Sequence, residues 1–171
     1  MGKFLAALIV VCALAAGGGI YYLQVYGYYE RIEAQGDDVV LTRADGVTEP
    51  LPIVDFEAID ADSSPIRYRA CFTTPLSLDE ASATYADYPR AEPLNAPGWF
   101  DCFDAEDIGE ALETEDARAF LSVENIHYGI DRIVAIFPDG RGYVWQQINA
   151  CGEVVFDGQP APEGCPPPPS E

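Results

Sequence analysis

Lysine, histidine and methionine are almost missing from this chain. Its 171 residues include one histidine, His127, and one methionine, and Lys3 is the single lysine. One imidazole cannot supply the ligand set of a standard zinc or copper site. The chain also has no Gly-x-Ser-x-Gly elbow, no Walker A loop, no Rossmann fingerprint and no Cys-x-x-Cys pair. The sequence therefore indicates no catalytic residue, no cofactor and no metal site.

Positive charge is scarce throughout the rest of the chain. From residue 30 onward, 8 arginines stand against 29 acidic residues, which gives this part a net charge of −21. Such a surface repels nucleic acids and anionic lipid head groups, so we expect no nucleic-acid partner. The charge favours solubility, and a basic partner is the alternative interpretation.

One uncharged apolar run precedes the acidic part. Residues 4–23 would span about 30 Å as a helix, which is the hydrocarbon thickness of a bilayer. Tyrosines, which favour the membrane interface, crowd its C-terminal end: Tyr21, Tyr22, Tyr26, Tyr28 and Tyr29. Lys3 lies at the other end, and positive charge stays cytoplasmic. The pattern predicts a single-pass anchor in the inner (cytoplasmic) membrane, with the N-terminus inside and the C-terminal domain in the periplasm.

Two alternatives to an uncleaved anchor keep the same compartment. Ala13-Leu14-Ala15 fits the small-x-small pattern of signal-peptide cleavage, although the leader would be short and apolar sequence continues beyond it. A lipoprotein is disfavoured because Val11 precedes Cys12 where a small residue is expected.

Four cysteines follow the apolar run, and an even number in an exported domain predicts two disulfides. They are Cys71, Cys102, Cys151 and Cys165. Three pairings are possible. Cys151–Cys165 closes the shortest loop and would leave Cys71–Cys102 as the second bridge.

The pattern of strands and turns predicts an α+β domain with a mainly antiparallel sheet. Strands are expected at Val39–Thr42, in the proline-broken stretch 48–59, at Ile66–Thr73, in a hairpin of Ile130–Phe137 with Gly142–Ile148, and at Glu153–Phe156. Helices are expected after Ser77, after Asp104 and after Thr114, where Ala117, Phe120 and Leu121 have helical spacing.

The domain boundaries follow from these elements. We expect a cytoplasmic N-terminus at 1–3, the transmembrane anchor at 4–23, a juxtamembrane stalk at 24–36, the periplasmic α+β domain at 37–165 and a disordered proline-rich tail at 166–171. Trp99, His127 and Trp145 are candidate interface residues, since aromatic side chains are enriched in binding surfaces. Core packing is the alternative role for the two tryptophans.

Five segments of the chain stand out as characteristic: YYLQVYGYYE, AIDADSSPIRYRACF, APGWFDCFDAEDIGEAL, NIHYGIDRIVAIFPDGRGYVWQQIN and ACGEVVFDGQPAPEGCP. In these segments the chain resembles a family of small single-pass bacterial envelope proteins to which no activity is assigned. The resemblance implies the anchor and the paired cysteines, and it implies no catalytic residue.

These observations favour a non-enzymatic, membrane-anchored interaction or accessory domain with a membrane or periplasmic protein as its partner. The alternative is an envelope enzyme or small-ligand-binding protein with a pocket near Trp99, His127 and Trp145. A deep cleft with convergent polar groups would favour the alternative.

Overall fold

A single apolar helix begins the structure. The computed structural model describes residues 2–169, and α1 spans Gly2–Tyr22 and continues as a π-helical turn over Leu23–Gly27. Its side chains are exposed, and the helix is long and apolar enough to cross a membrane. A signal sequence near the N-terminus has the same properties, so length and composition do not separate the two roles.

The rest of the chain forms an α+β domain, as the sequence predicts. Its strands are β1 (Glu30–Ile32), β2 (Val40–Thr42), β3 (Thr48–Pro50), β4 (Val54–Asp60), β5 (Arg69–Thr73), β6 (Arg118–His127), β7 (Ile130–Ile136) and β8 (Arg141–Ile148). Its helices are α2 (Leu78–Thr84), α3 (Ala105–Glu113) and α4 (Ala150–Phe156). Six strands pair antiparallel in the order β1-β4-β5-β8-β7-β6, and β2 and β3 form a separate hairpin.

Both faces of the six-stranded sheet are covered. The first face packs against the β2–β3 hairpin and α2, through a cluster that includes Leu41, Phe72 and Phe120. The second face packs against α3 and a stretch without regular structure, residues 88–103, through a cluster that includes Phe103 and Trp145. We call residues 88–103 the covering segment. A sheet buried on both faces explains why its central strands are apolar at consecutive positions.

Two helices begin where the capping residues predict. The Ser77 hydroxyl accepts from the Glu80 amide, and the Glu80 carboxylate accepts from the Ser77 amide, which completes a capping box for α2. The Asp104 carboxylate accepts from the amides of Glu106 and Asp107 at the start of α3. These bonds need only neighbouring residues, so a short sequence pattern identifies them.

The helix predicted after Thr114 is wrong. Thr114 ends α3, and the residues after it form β6, which pairs with β7. Ala119 belongs to the cluster on the second face of the sheet, and Phe120 to the cluster on the first. Because both faces of β6 are buried, its apolar residues have no period of two, and their spacing imitates a helix.

The strand predicted at Glu153–Phe156 is also wrong, because those residues belong to α4. The Asn149 side chain caps this helix by accepting from the amides of Cys151 and Gly152. Gly152 is buried against Gly129, and a methyl group on either glycine would overlap the other backbone. Because Asn149 follows β8 directly, the sequence pattern does not identify it as a helix cap.

The boundaries of the domain differ from the expectation at its N-terminal end. The segment 24–36, predicted as a stalk, contributes β1, whose Arg31 pairs with Ile59 of β4. The stretch 48–59 divides into β3 and β4, and the strand expected from Ile66 begins at Arg69. The predicted tail at 166–171 has no regular structure over 166–169, while residues 170 and 171, like residue 1, lie outside the described residues.

Both disulfides are present in the expected pairing. Cys71 of β5 is bonded to Cys102 of the covering segment, and Cys151 of α4 is bonded to Cys165. The first bridge holds the covering segment to the sheet. The second holds the chain after α4 against that helix, and the hydroxyl of Tyr128 also donates to the carbonyl of Pro166.

Gly142 offers a test of the packing on the first face. It pairs with Phe72 across β8 and β5, and a methyl group at residue 142 would overlap the buried Phe72 ring. We predict that Gly142→Ala lowers the free energy of unfolding by about 1–3 kcal/mol, the usual cost of overpacking. Urea denaturation of the full chain in detergent micelles measures the change. Gly98→Ala, where a methyl group meets nothing within 4 Å, is the matched control; equal loss in both variants would contradict the prediction.

Candidate functional site

Trp99 lies against the segment that joins α1 to the domain. Its indole N–H donates to the carbonyl of Val25 at 2.6 Å. Its ring stacks on Tyr26 with the centroids 6.4 Å apart, and it meets the ring of Tyr29 edge to face at 6.0 Å. The guanidinium of Arg31 lies 5.8 Å from the centre of the indole ring. The aromatic residue predicted as an interface residue therefore forms an interface within the chain.

Arg67 contacts the same segment from the sheet side. Its guanidinium donates to the backbone carbonyl of Gln24 at 3.3 Å and to the side-chain oxygen of Gln24 at 2.9 Å. It also donates to the hydroxyl of Tyr29 and lies 5.5 Å from the centre of that ring. We call the packing of residues 24–31 against Arg67 and Trp99 the juxtamembrane contact, after the adjoining helix, which is long and apolar enough to cross a membrane. It joins α1 to the domain through several directional bonds, in place of a free stalk.

The pocket expected near Trp99, His127 and Trp145 does not form. The Trp145 side chain has no exposed surface and lies within the cluster on the second face of the sheet. Trp99 is half-buried against residues 25–29, and His127 is exposed at the end of β6, opposite Ile130. A fully buried indole cannot contact a ligand, so the three side chains share no binding surface.

A buried arginine holds the covering segment to the second face of the sheet. Arg69 is 3% exposed, and its guanidinium donates to the carbonyls of Ile66, Tyr68, Leu94 and Asn95 at 2.6–3.2 Å. Burial lowers the pKa of Arg69 to about 10. Backbone carbonyls therefore satisfy the donors of this buried guanidinium.

Gln147 of β8 holds the covering segment at a second place. Its side-chain oxygen accepts from the indole N–H of Trp145 at 3.1 Å and from the amide of Glu92 at 2.8 Å. Its side-chain nitrogen donates to the carbonyl of Arg90 at 2.8 Å. The segment therefore keeps its position without a strand or helix of its own.

Asp131 of β7 holds the covering segment at a third place, within a cluster of polar side chains. It is 5% exposed, and its Oδ1 accepts from the Asn125 amide at 2.8 Å and from the Asn149 side chain at 2.7 Å. Its Oδ2 accepts from the hydroxyl of Tyr88 at 3.0 Å. One carboxylate thus joins β6, the N-cap of α4 and the covering segment.

The two asparagines around Asp131 are themselves fixed. The Asn125 side-chain oxygen accepts from the amide of Gly129 and from the Asn149 side chain, both at 3.0 Å. Asn125 adopts φ of 47°, a left-handed conformation that asparagine tolerates better than most residues. Asn149 also caps α4, so hydrogen bonds hold both asparagines of the polar cluster in place.

Tyr88 stays a neutral donor within this cluster. Burial is the first cause that raises the pKa of Tyr88, followed by the charge of Asp131 and the hydrogen bond to it. A phenol of ordinary pKa is already protonated at neutral pH, and the raised pKa of Tyr88 extends this state to more alkaline pH, where its hydroxyl still donates to the carboxylate.

A cavity of about 320 Å³ opens beside this cluster. It is lined by Tyr88, Pro89, Arg90, Glu124, Asp131, Asn149, Ala150 and Cys151. We call it the Asp131 cavity. Arg90 also lines a neighbouring cleft and forms an exposed ion pair with Glu153 at 3.5 Å. The cavity therefore combines one deeply buried carboxylate with charged groups nearer the solvent.

No sequence motif identifies this cavity directly. Asp131 stands in an apolar strand on the same face as Ile133 and Ala135, and a charged residue at such a position is uncommon. A charged residue on a buried face of an apolar strand is the one clue to the cavity in the sequence. Tyr88 and Asn149 come from distant parts of the chain, and only the fold brings them to Asp131.

The attachment at Gln147 generates a test of this arrangement. We predict that Gln147→Ala lowers the free energy of unfolding by about 1–3 kcal/mol, because the buried indole N–H of Trp145 loses its acceptor. Urea denaturation followed by tryptophan fluorescence measures the change. Gln159→Ala, at an exposed position, is the control. Superimposable unfolding curves for the two variants would show that Gln147 does not hold the segment.

Comparison with known proteins identifies a family for the folded domain. The model of a family of unknown function, DUF6446, matches residues 39–166, which cover the folded domain from β2 to the end of the second disulfide loop. No curated protein and no solved structure matches the chain significantly. The matched range exceeds half of the 171 residues, so the chain belongs to the DUF6446 family.

Proposed function

We propose that this protein is a membrane-anchored accessory domain of the bacterial envelope, non-enzymatic, that presents a periplasmic surface to a membrane or periplasmic protein. The juxtamembrane contact is the observation that carries the proposal. A domain that acted alone in solution would need only a flexible tether, whereas a partner in or near the membrane is met best from a fixed distance and orientation.

The apolar helix supports an anchor in preference to a cleaved leader. Its last turns run without a break into residues 24–31, which pack on Trp99 and Arg67. Cleavage after Ala15 would leave residues 16–23, an apolar half-helix, at the end of a folded contact. An intact helix keeps those residues in the bilayer, where their exposure costs nothing.

Charge and disulfides support the orientation. Lys3 lies on the cytoplasmic side of the proposed span, and the tyrosines at the other end suit the outer interface. The two disulfides lie in the part of the chain that follows the helix, and disulfides persist in oxidising compartments such as the periplasm. Both arguments favour the N-in, C-out arrangement.

The non-enzymatic role is supported by how the buried polar groups are used. Arg69, Gln147 and Asp131 direct their hydrogen bonds to the covering segment and to neighbouring strands. His127, the one imidazole, is exposed at the end of β6. The polar groups of the domain thus serve its architecture, as expected of a protein that acts through its surface.

Fusion of alkaline phosphatase to the C-terminus tests the location. In a Gram-negative host we expect an active enzyme that stays with the membrane after carbonate extraction, because α1 remains in the bilayer. Deletion of residues 4–23 is the control and should give an inactive, cytoplasmic fusion. A mature protein whose N-terminus maps near residue 16 would disprove the anchor.

Trypsin provides a test of the juxtamembrane contact. The Arg31 side chain is 65% exposed, but its guanidinium lies 5.8 Å from the centre of the Trp99 ring and its backbone pairs with β4, so we expect slow cleavage after this residue in full-length protein held in nanodiscs. Trp99→Ala removes the indole and should speed cleavage after Arg31 at least fivefold, since local opening becomes easier. Val54→Ala, at a side chain 58% exposed, is the control.

The same variants test the partner. A stoichiometric protein recovered with the wild type from detergent-solubilised membranes should be lost or weakened with Trp99→Ala, which stays in the membrane, and kept with Val54→Ala. Repeated recovery of the wild type alone would count against an accessory role. Equal cleavage of Trp99→Ala and wild type after Arg31 would instead show that the contact does not hold the domain.

A further inference from the structure

The Asp131 cavity contains a buried charge that the described residues leave without an opposite charge. Asp131 is 5% exposed, and the five ion pairs among those residues do not include it. Arg90 supplies the only cationic side chain of the lining, and it is paired with Glu153. Buried carboxylates normally have a cation beside them, because hydrogen bonds alone replace only part of their hydration.

The hydrogen bonds of Asp131 leave room for one more donor. A carboxylate offers about four lone-pair sites. Oδ1 accepts from Asn125 and Asn149, while Oδ2 accepts from Tyr88 alone among the described residues. The free site is therefore on Oδ2, beside the cavity that Tyr88 and Asp131 both line.

We propose that the Asp131 cavity binds a primary ammonium group. One N–H of the ligand donates to Oδ2 of Asp131, and Glu124, exposed at the edge of the lining, adds negative charge. The volume of about 320 Å³ is that of a small-molecule site, so the ligand is a small amine or the end of a lysine side chain.

The geometry favours an ammonium group over other cations. A guanidinium binds a carboxylate best through two parallel hydrogen bonds, and Asp131 has one free site. An ammonium group is a compact charge whose donors rotate to meet single acceptors. A metal ion is disfavoured because the described residues contain no group of three or more histidine, cysteine, aspartate or glutamate side chains that could hold one. The proposal does not depend on the anchored role, since it rests on the domain alone.

Calorimetric titration of the full chain in zwitterionic nanodiscs at pH 7 tests the proposal. The probes are putrescine and Nα-acetyl-lysine amide, with tetramethylammonium and acetate as comparison ions. We expect saturable 1:1 binding of the two primary amines. Tetramethylammonium has no N–H to donate to Oδ2 and should bind at least tenfold more weakly. Tighter binding of putrescine identifies a free amine, and tighter binding of the lysine derivative identifies a protein side chain.

Asp131→Asn separates ligand binding from the structural role of this residue. The Asn oxygen continues to accept from Asn125 and Asn149, and its nitrogen donates to the Tyr88 hydroxyl, so the attachment of the covering segment is kept. We expect an unchanged melting temperature and at least tenfold weaker amine binding. Asp62→Asn removes the same charge at an exposed position and should leave the affinity unchanged.

Glu124→Gln keeps the test decisive if Asp131→Asn fails to fold. Glu124 is exposed, so its replacement should spare the fold and weaken amine binding about threefold, as expected for a charge near the surface. Glu113→Gln, on α3 and outside the cavity lining, is its matched control. Lack of saturable amine binding by the wild type, equal binding by a folded Asp131→Asn variant, or preferential binding of acetate would each overturn the proposal.

Discussion

The attachment of the covering segment to the second face of the sheet is the constraint on which the rest of the structure depends. Residues 88–103 contain no strand and no helix, yet together with α3 they bury the second face of the sheet. The segment is held by hydrogen bonds from Arg69 and Gln147 to its backbone and by the bond between Asp131 and the Tyr88 hydroxyl. The disulfide to Cys102 holds it covalently. Backbone polar groups near a core must find partners, and these side chains supply them.

Both candidate sites lie on this one segment. Tyr88, near its beginning, borders the Asp131 cavity, and Trp99, near its end, makes the juxtamembrane contact. Tyr88 packs against the apolar cluster on the second face and its hydroxyl donates to Asp131, so its position sets one wall of the cavity. The contact exists because the disulfide at Cys102 fixes the chain three residues after Trp99. A loop that was free to move would offer neither surface.

The sequence predicts the local elements of this fold and misses those that depend on distant residues. The caps at Ser77 and Asp104 and the turn between β7 and β8 use neighbouring residues, so they are readable without a structure. Residues 118–127 form strand β6 because they pair with β7. Their apolar side chains are buried on both faces, so the sequence lacks the period of two that would predict a strand. The residue type of Trp99 predicts a contact surface, but it does not predict that the partner lies in the same chain.

The Asp131 cavity lay beyond sequence reasoning for a physical reason. In a chain with 29 acidic residues, one more aspartate attracts no notice, and its significance comes from burial. Burial in turn comes from Asn125, Asn149 and Tyr88, which belong to three different parts of the chain. Solubility explains the negative charge only of carboxylates that are exposed to water. Asp131 is 5% exposed, so solubility does not explain its charge, and the proposed primary ammonium ligand would pair with it.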